Sequence, residues 1–301
     1  VRADSNIIAS APEHSLMNQD KHVLIVGKNS YVGEFLRDHF AAQGAHVSAI
    51  GSSDCNFLDP GQVHEFFQGL PREPLTILFL AVVNKDVRNS YSAFQDNVKM
   101  AWNLVSNLRD VKVESLIYFS SVDVYGRSPK LPMSETSPLD PDTWYGLSKS
   151  TSEWIVREES ASNCATCILR LPGIFGRSSK DRSVIGRLIS SIRETGKVQI
   201  DGDGEVLRDY VFAPDLCRAV ERLVARKADG TFNLATGASV SLLQILATIR
   251  ETLGVDFEVA HLPANVERNF DMCYDTARLS AALGEFDFSP LEAGIRSYLD
   301  S

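Results

Sequence analysis

A doubly wound α/β fold, with a parallel sheet between two layers of helices and a second, smaller α/β domain, is predicted for this chain by three observations. Short apolar runs recur along its 301 residues, each ending in glycine or hydroxyl residues. Stretches with helical apolar spacing separate those runs. The first pair of runs closes a strand–turn–helix–strand unit of about 30 residues with glycines in its turn.

Composition sets the outer bounds. At 44% hydrophobic and 23% charged the chain is an ordinary globular one, long enough for one large domain or two smaller ones. A net charge of -9 argues against nucleic acid or a membrane surface as partner, so an anionic ligand needs a local basic pocket. No apolar run approaches the roughly 18 residues of a membrane span. Residues 1–20 are mixed and polar, without the basic start and apolar middle of a signal peptide, and read as a tail. Five cysteines at irregular spacing give one C-x-x-C, Cys164 to Cys167, with no second pair to complete a zinc site. Reduced thiols and a cytoplasmic setting follow, with no metal expected.

His22 to Gly27 is an apolar run ending in glycine, the pattern of a buried parallel strand. Gly27-Lys28-Asn29-Ser30-Tyr31-Val32-Gly33 turns into a helical segment, Glu34 to Gln43, and His46 to Ile50 is the next strand. Glycines in such a turn let backbone approach a pyrophosphate at the helix N-terminus. Ser30 stands where a middle glycine is usual. After the second strand come Gly51-Ser52-Ser53, and Asp54 arrives late. Small hydroxyl residues with Lys28 nearby favour NADP over NAD, although Lys28 also reads as a plain solvated lysine.

Gln62 to Gly69 reads as a helix, Leu75 to Val83 as a strand, and Ala93 to Arg109 as a long helix carrying Asn97. Ser115 to Ser121 is a strand running into hydroxyls, followed by Val122-Asp123-Val124-Tyr125-Gly126. Ligands of such sheets bind outside the carboxyl ends of the strands, where Ser120, Ser121 and the glycine turn fall. Trp144-Tyr145-Gly146-Leu147-Ser148-Lys149 comes next. On a helix Tyr145 and Lys149 share a face, and an ammonium beside a phenol lowers the phenol's pKa toward useful acid/base range.

These pieces, in this order, resemble the extended short-chain dehydrogenase/reductases, the nucleotide-sugar epimerase, dehydratase and reductase group with a Rossmann cofactor domain. Leu169 to Gly176, Gly202-Asp203-Gly204 with Arg208 to Phe212, Phe232 to Ala235, and Asp275 to Arg278 continue the likeness over about residues 21 to 301. The resemblance implies Tyr145 as acid/base, Lys149 on the nicotinamide ribose, and Ser121 on the substrate oxygen. Ser121 as a strand-end cap is the plainer alternative. It implies a cofactor, NADP or NAD, held by Gly27, Lys28, Ser30, Tyr31, Val32, Gly33, Asp59, Ala81, Asn97 and Pro172 together with Tyr145 and Lys149. It implies a nucleotide-sugar substrate met by Ser121, Asp123, Arg208 and Arg268. Arg177, Lys180, Arg182 and Arg187 form a further basic run.

Departures from the family pattern narrow the reading. Val122 and Asp123 stand where dehydratases resemble Asp-Glu, which argues against 4,6-dehydration. No acid stands directly after the second strand, and Gly173 replaces an asparagine frequent in the group, which weakens an epimerase with bound NAD. Gly-Lys-x-x-x-Val-Gly and Phe57 to Pro60 look like nucleotide-linked 4-keto-6-deoxysugar reductases. The expectation is therefore an NAD(P)-dependent reductase; an epimerase and a non-catalytic dinucleotide-binding regulator are the alternatives. The cofactor domain is expected over residues 21–171 with about 210–235, and the substrate domain over 172–209 with 236–301. Trp102 and Val98 lie on a helix that in this family often pairs across a homodimer.

Overall fold

The computed structural model describes residues 21–127, 130–178, 180–264 and 269–300. The first strand, β1 (His22–Val26), leads through the glycine turn into helix α1 (Tyr31–Ala42) and strand β2 (His46–Ile50). There follow α2 (Pro60–Gln68), β3 (Leu75–Phe79), α3 (Tyr91–Val105), β4 (Val113–Ser121), α4 (Trp144–Ser160) and β5 (Ala165–Leu171). Beyond Pro172 come β6 (Gly173–Phe175), α5 (Val184–Thr195), β7 (Lys197–Asp201), β8 (Tyr210–Phe212), α6 (Ala213–Ala225) and β9 (Gly230–Asn233). The last elements are α7 (Leu242–Leu253), β10 (Glu258–Leu262), α8 (Ala277–Leu283) and α9 (Leu291–Asp300).

Six strands form one parallel sheet in the order β2-β1-β3-β4-β5-β9. The period of two along each strand divides its side chains between two cores. Val23, Ile25, Leu78, Ile117 and Leu169 meet α1, α6 and α8 on one face. Leu24, Val26, Ile77, Phe79, Leu116 and Ile168 meet α2, α3 and α4 on the other. Burial on both faces is why these strands read as unbroken apolar runs rather than alternating ones.

A third core lies outside that sheet, where α5, α7 and α9 pack Ile185, Ile189, Ile245, Ile249 and Ile295 against Val198 and Ile200 of β7. Two small parallel sheets, β6 with β8 and β7 with β10, belong to this part. The chain enters it at Pro172, which cannot donate to a ladder. The single apolar run Leu169 to Phe175 thus becomes two strands in two sheets.

At three of the boundaries that differ from the sequence-based expectation, side chains compete for the backbone. Strand β3 stops at Phe79 rather than Val83, since the Asn97 amide takes the Val83 N–H at 2.7 Å and its carbonyl at 3.1 Å. Helix α3 stops at Val105 rather than Arg109, and the Asn107 amide turns back onto the Asn103 carbonyl. Helix α1 starts at Tyr31, earlier than Glu34, because the Ser30 hydroxyl caps it by accepting from Gly33 N–H at 3.0 Å.

Candidate active site

The site lies at the carboxyl end of the six-stranded sheet. Between β1 and α1 the chain turns through Gly27, at φ +112°. A Cβ on Gly33 would stand 2.6 Å from the Gly27 carbonyl and 2.6 Å from Ser30 Oγ. A Cβ on Gly27 would press on Leu80 and the Ala81 N–H. Only glycines allow this tight cradle, and the N–H groups of Tyr31 and Val32, in the first turn of α1, lack intrahelical partners. The cradle fits the pyrophosphate of a dinucleotide. Ser30, which replaces the expected glycine, supplies the helix cap instead.

Strand β4 ends in Ser120 and Ser121, and the chain continues as a short 3-10 turn from Val122 to Tyr125. Ser121 Oγ caps that turn, accepting from Asp123 N–H at 3.2 Å, and faces the Tyr145 phenol. The two readings of Ser121 therefore coexist in one side chain. Tyr145 sits in the first turn of α4, whose cap Thr143 accepts from Gly146 N–H at 3.0 Å. Gly146 has a contact reason: a Cβ there would lie 2.5 Å from the Asp123 carbonyl oxygen. The helix start thus packs directly on the turn, which brings Tyr145 to Ser121 and Asp123.

Lys149 is buried, and its Nζ donates to the Phe119 carbonyl at 2.6 Å. It stands 5.9 Å from the centroid of the Tyr145 ring. Burial lowers this ammonium from its ordinary 10.5 to about 7, against the opposing pull of Glu153. The expected lowering of the Tyr145 pKa is corrected here. Burial, then the Asp123 carboxylate, holds the phenol well above its ordinary value, and the Ser121 hydroxyl only partly opposes this. The reason is geometric: Lys149 is spent on a backbone carbonyl, while a carboxylate faces the phenol.

Several predicted cofactor residues take other partners. Asp59 is the N-cap of α2, accepting from Gly61 and Gln62 N–H at 2.9 and 3.2 Å, so its carboxylate is committed to the helix end. Asn97 is buried with its amide on Val83 and, at 3.1 Å, on Ser148 Oγ; it braces the loop after β3 against α4. The Tyr31 hydroxyl donates to the Gly176 carbonyl at 2.5 Å, tying the glycine turn to the end of β6. Lys28 Nζ lies 2.6 Å from Asp54, whose carboxylate also accepts from Gly51 N–H at 2.8 Å. Asp54 thus folds back to the end of β2, so an acid does stand there and the sequence argument from its absence falls. Ala81 flanks the cradle, and Pro172 follows β5 beside Ser121, which pairs with Leu171.

In the smaller part a cavity of about 780 Å³ is walled by Leu188, Val198, Ile200 and Tyr210, with Arg187 and Arg208 at its lining. Arg208 Nη1 donates to the carbonyls of Leu207, at 2.8 Å, and Phe270, and its guanidinium stacks 5.3 Å from the Phe270 ring. Gly173 is explained by the same wall, since a Cβ there would lie 2.6 Å from the Tyr210 ring. An asparagine has no room. Of the basic run, Arg187 reaches the cavity, whereas Lys180 pairs with Glu34 at 2.6 Å. Arg268 lies outside the described residues.

Sequence reasoning missed three participants. Lys85, in the loop after β3, lies 2.5 Å from Asp123 and 5.7 Å from the Tyr145 ring centroid. Glu153 and Arg170 form a buried pair at 2.7 Å beneath the site, and Ser120 Oγ donates to Glu153 at 2.5 Å. Glu153 had a signal, standing four residues beyond Lys149 and eight beyond Tyr145 on one helix face. Lys85 had none, because only the fold brings its loop to Asp123.

Comparison with known proteins agrees with this geometry. The family model for the NAD dependent epimerase/dehydratase family matches residues 23–235. A UDP-glucose 4-epimerase of Lactobacillus helveticus is 25% identical over 301 residues, covering 87% of this chain and 91% of the relative. A dTDP-4-dehydro-6-deoxy-D-allose reductase of a Streptomyces species is 24% identical over 305 residues, covering 91% of this chain and 93% of the relative. The solved UDP-N-acetylglucosamine 4-epimerase of Methanobrevibacter ruminantium M1, in complex with UDP-N-acetylmuramic acid, shares the fold with a TM-score of 0.82 at 20% identity. That match covers 93% of this chain and 97% of the other. A glycine cradle at the first strand, a Ser–Tyr–Lys set at the fourth and a family match over most of the cofactor-binding sheet converge: the chain belongs to the NAD dependent epimerase/dehydratase family, as an NAD(P)-dependent enzyme of the extended short-chain dehydrogenase/reductase type.

Proposed function

We propose that the protein reduces the ketone of a nucleotide-linked 4-keto-6-deoxy sugar. The observation that carries this reading is the Ser121, Tyr145 and Lys149 set gathered at the carboxyl end of β4 and the start of α4, beside the glycine cradle. The Tyr145 phenol can give the proton that hydride reduction of a ketone needs. The bound nicotinamide cofactor supplies the hydride. Tyr145 O–H gives its proton to the carbonyl oxygen that Ser121 orients, leaving an alcohol and a phenolate that solvent reprotonates. Lys149, whose Nζ stands 5.9 Å from the ring centroid, favours that transient phenolate only in its protonated form. Val122 puts an apolar side chain where elimination of water needs an acid.

The cavity is the seat of the nucleotide, with apolar walls for base and ribose and Arg208 and Arg187 for the diphosphate. Asp123 meets a sugar hydroxyl. Arg208→Ala is expected to raise KM about 10- to 100-fold with little change in kcat, since a charged hydrogen bond is worth about 1.5–3 kcal/mol. Steady-state kinetics check it.

A specific observation favours a second reading, an epimerase with retained NAD: Asp54 places a carboxylate at the end of β2, where ribose hydroxyls are read. The deciding experiment binds NADPH and NADH by fluorescence, then follows single-turnover oxidation with a panel of nucleotide 4-keto sugars. Oxidation of either coenzyme supports the reductase and fixes the coenzyme. Interconversion of nucleotide-hexose epimers without net oxidation replaces it with the epimerase.

The molecule is further proposed to act as a homodimer through α3 and α4. These helices pack together and leave Trp102, Leu147 and Trp154 exposed, Trp154 at 61%. Bare tryptophans on adjacent helices suit a partner face. Light scattering should give twice the chain mass, and Trp154→Glu should give a monomer.

A further inference from the structure

Lys85 is not a stray surface lysine. Its loop is tied at both ends to the catalytic side of the sheet: Asn97 holds Val83, and Asn89 Oδ1 accepts the Tyr145 N–H at 3.2 Å. Between them the chain turns on Asn84, whose carbonyl accepts from Val87 and Arg88 N–H at 3.0 Å and whose side chain accepts from Asp86 N–H at 3.0 Å. Lys85 is therefore delivered to a fixed place, against Asp123 and near the Tyr145 ring.

We propose that Lys85 is a positioning residue whose ion pair with Asp123 offsets that carboxylate at Tyr145, and so sets the pH range over which Tyr145 carries its proton. The inference rests on Tyr145 as the acid/base. The groups facing Tyr145 are few. The turn after β4 brings Ser121 and Asp123, β4 brings Tyr118, α4 brings Lys149, and the loop after β3 brings Lys85 and Asp86. Asp123 and Asp86 both favour the protonated phenol, and Lys85 is the cation that holds the nearer of them. A unit charge at about 6 Å, partly solvated, is worth about one pH unit on its neighbour. At 36% side-chain exposure Lys85 is also partly solvated, so its loss need not disturb the core.

The test compares Lys85→Met, Lys85→Arg and Asp123→Asn. In reductive turnover a first basic limb at about 7 belongs to Lys149, and the higher one, which is the one read here, marks loss of the Tyr145 proton. Lys85→Met should move that limb up by about one unit, Lys85→Arg should restore it, and Asp123→Asn should move it down. In the Asp123→Asn background Lys85→Met should shift it less, because the untethered ammonium no longer stands by the ring. Tyrosinate absorbance with oxidised cofactor bound and no sugar present, read against Tyr145→Phe, should move in the same directions. That second reading separates the two proposals. Tyrosinate shifts without turnover of any 4-keto sugar would keep the role of Lys85 and remove the reductase. Turnover with an unmoved higher limb in Lys85→Met, or a KM change alone, overturns the role of Lys85. Lys85→Gln substitutes should the methionine variant aggregate.

Discussion

Replacing Tyr145 by phenylalanine should lower turnover about 10²- to 10⁴-fold while leaving thermal stability near that of the parent. The substitution deletes one oxygen. Ser121, which faces that oxygen, retains the Asp123 N–H as partner. The ring's position is set elsewhere, by the Thr143 cap and by the contact of Gly146 with the turn at Asp123. What is lost is the proton that must reach the substrate oxygen as hydride arrives. Water from the open cleft is a poor replacement because it is not held in line. Single-turnover kinetics with saturating cofactor measure the effect; a fall below tenfold would remove Tyr145 from the chemistry.

The second large effect concerns stability. Arg170 is 4% exposed, and its guanidinium meets Glu153 through Nε and Nη2 at 2.7 to 3.2 Å. Its Nη1 donates to the Tyr125 hydroxyl at 2.9 Å and the Glu135 carbonyl at 3.1 Å. Tyr125 in turn donates to Asn233 Oδ1 at 2.6 Å, so β5, β9, α4 and the turn after β4 meet at one cation. Arg170→Ala leaves a buried carboxylate with only the Ser120 hydroxyl. The expected cost is about 3–5 kcal/mol, or a fall in Tm of roughly 10 °C for a protein of this size. Arg170→Leu with Glu153→Met should recover much of it, because the cost comes from an unpaired charge rather than from the pair's own worth. Denaturant unfolding of the single and double variants tests both statements.

How far the sequence revealed all this depends on range. Patterns carried by neighbouring residues were readable: the apolar runs, the glycine cradle, and Tyr145 with Lys149 on one helical face. Long-range partners were not. Asp54 reads as late for the end of β2 until the turn at Gly51 brings it back. Asp59 looks like a ligand contact, but its place one residue before Pro60 makes it a helix cap. The electrostatics of Tyr145 also ran against expectation, because the spacing announces a cation four residues away and cannot announce a carbonyl that occupies it. Lys85 entered the site through a loop whose course depends on Asn97.

The junction at Pro172 and Gly173 gives the molecule a division of labour. One continuous chain leaves the six-stranded sheet at β5 and, within three residues, forms β6 of a second sheet, with Gly173 against Tyr210 at the wall of the cavity. Residues of the third core, on α5, β7, α7 and α9, can vary in size or charge without touching the main sheet's two cores. Under the proposed function, a change of nucleotide preference is expected from substitutions at Leu188, Arg187 and the β7 wall, leaving the reacting groups as they are.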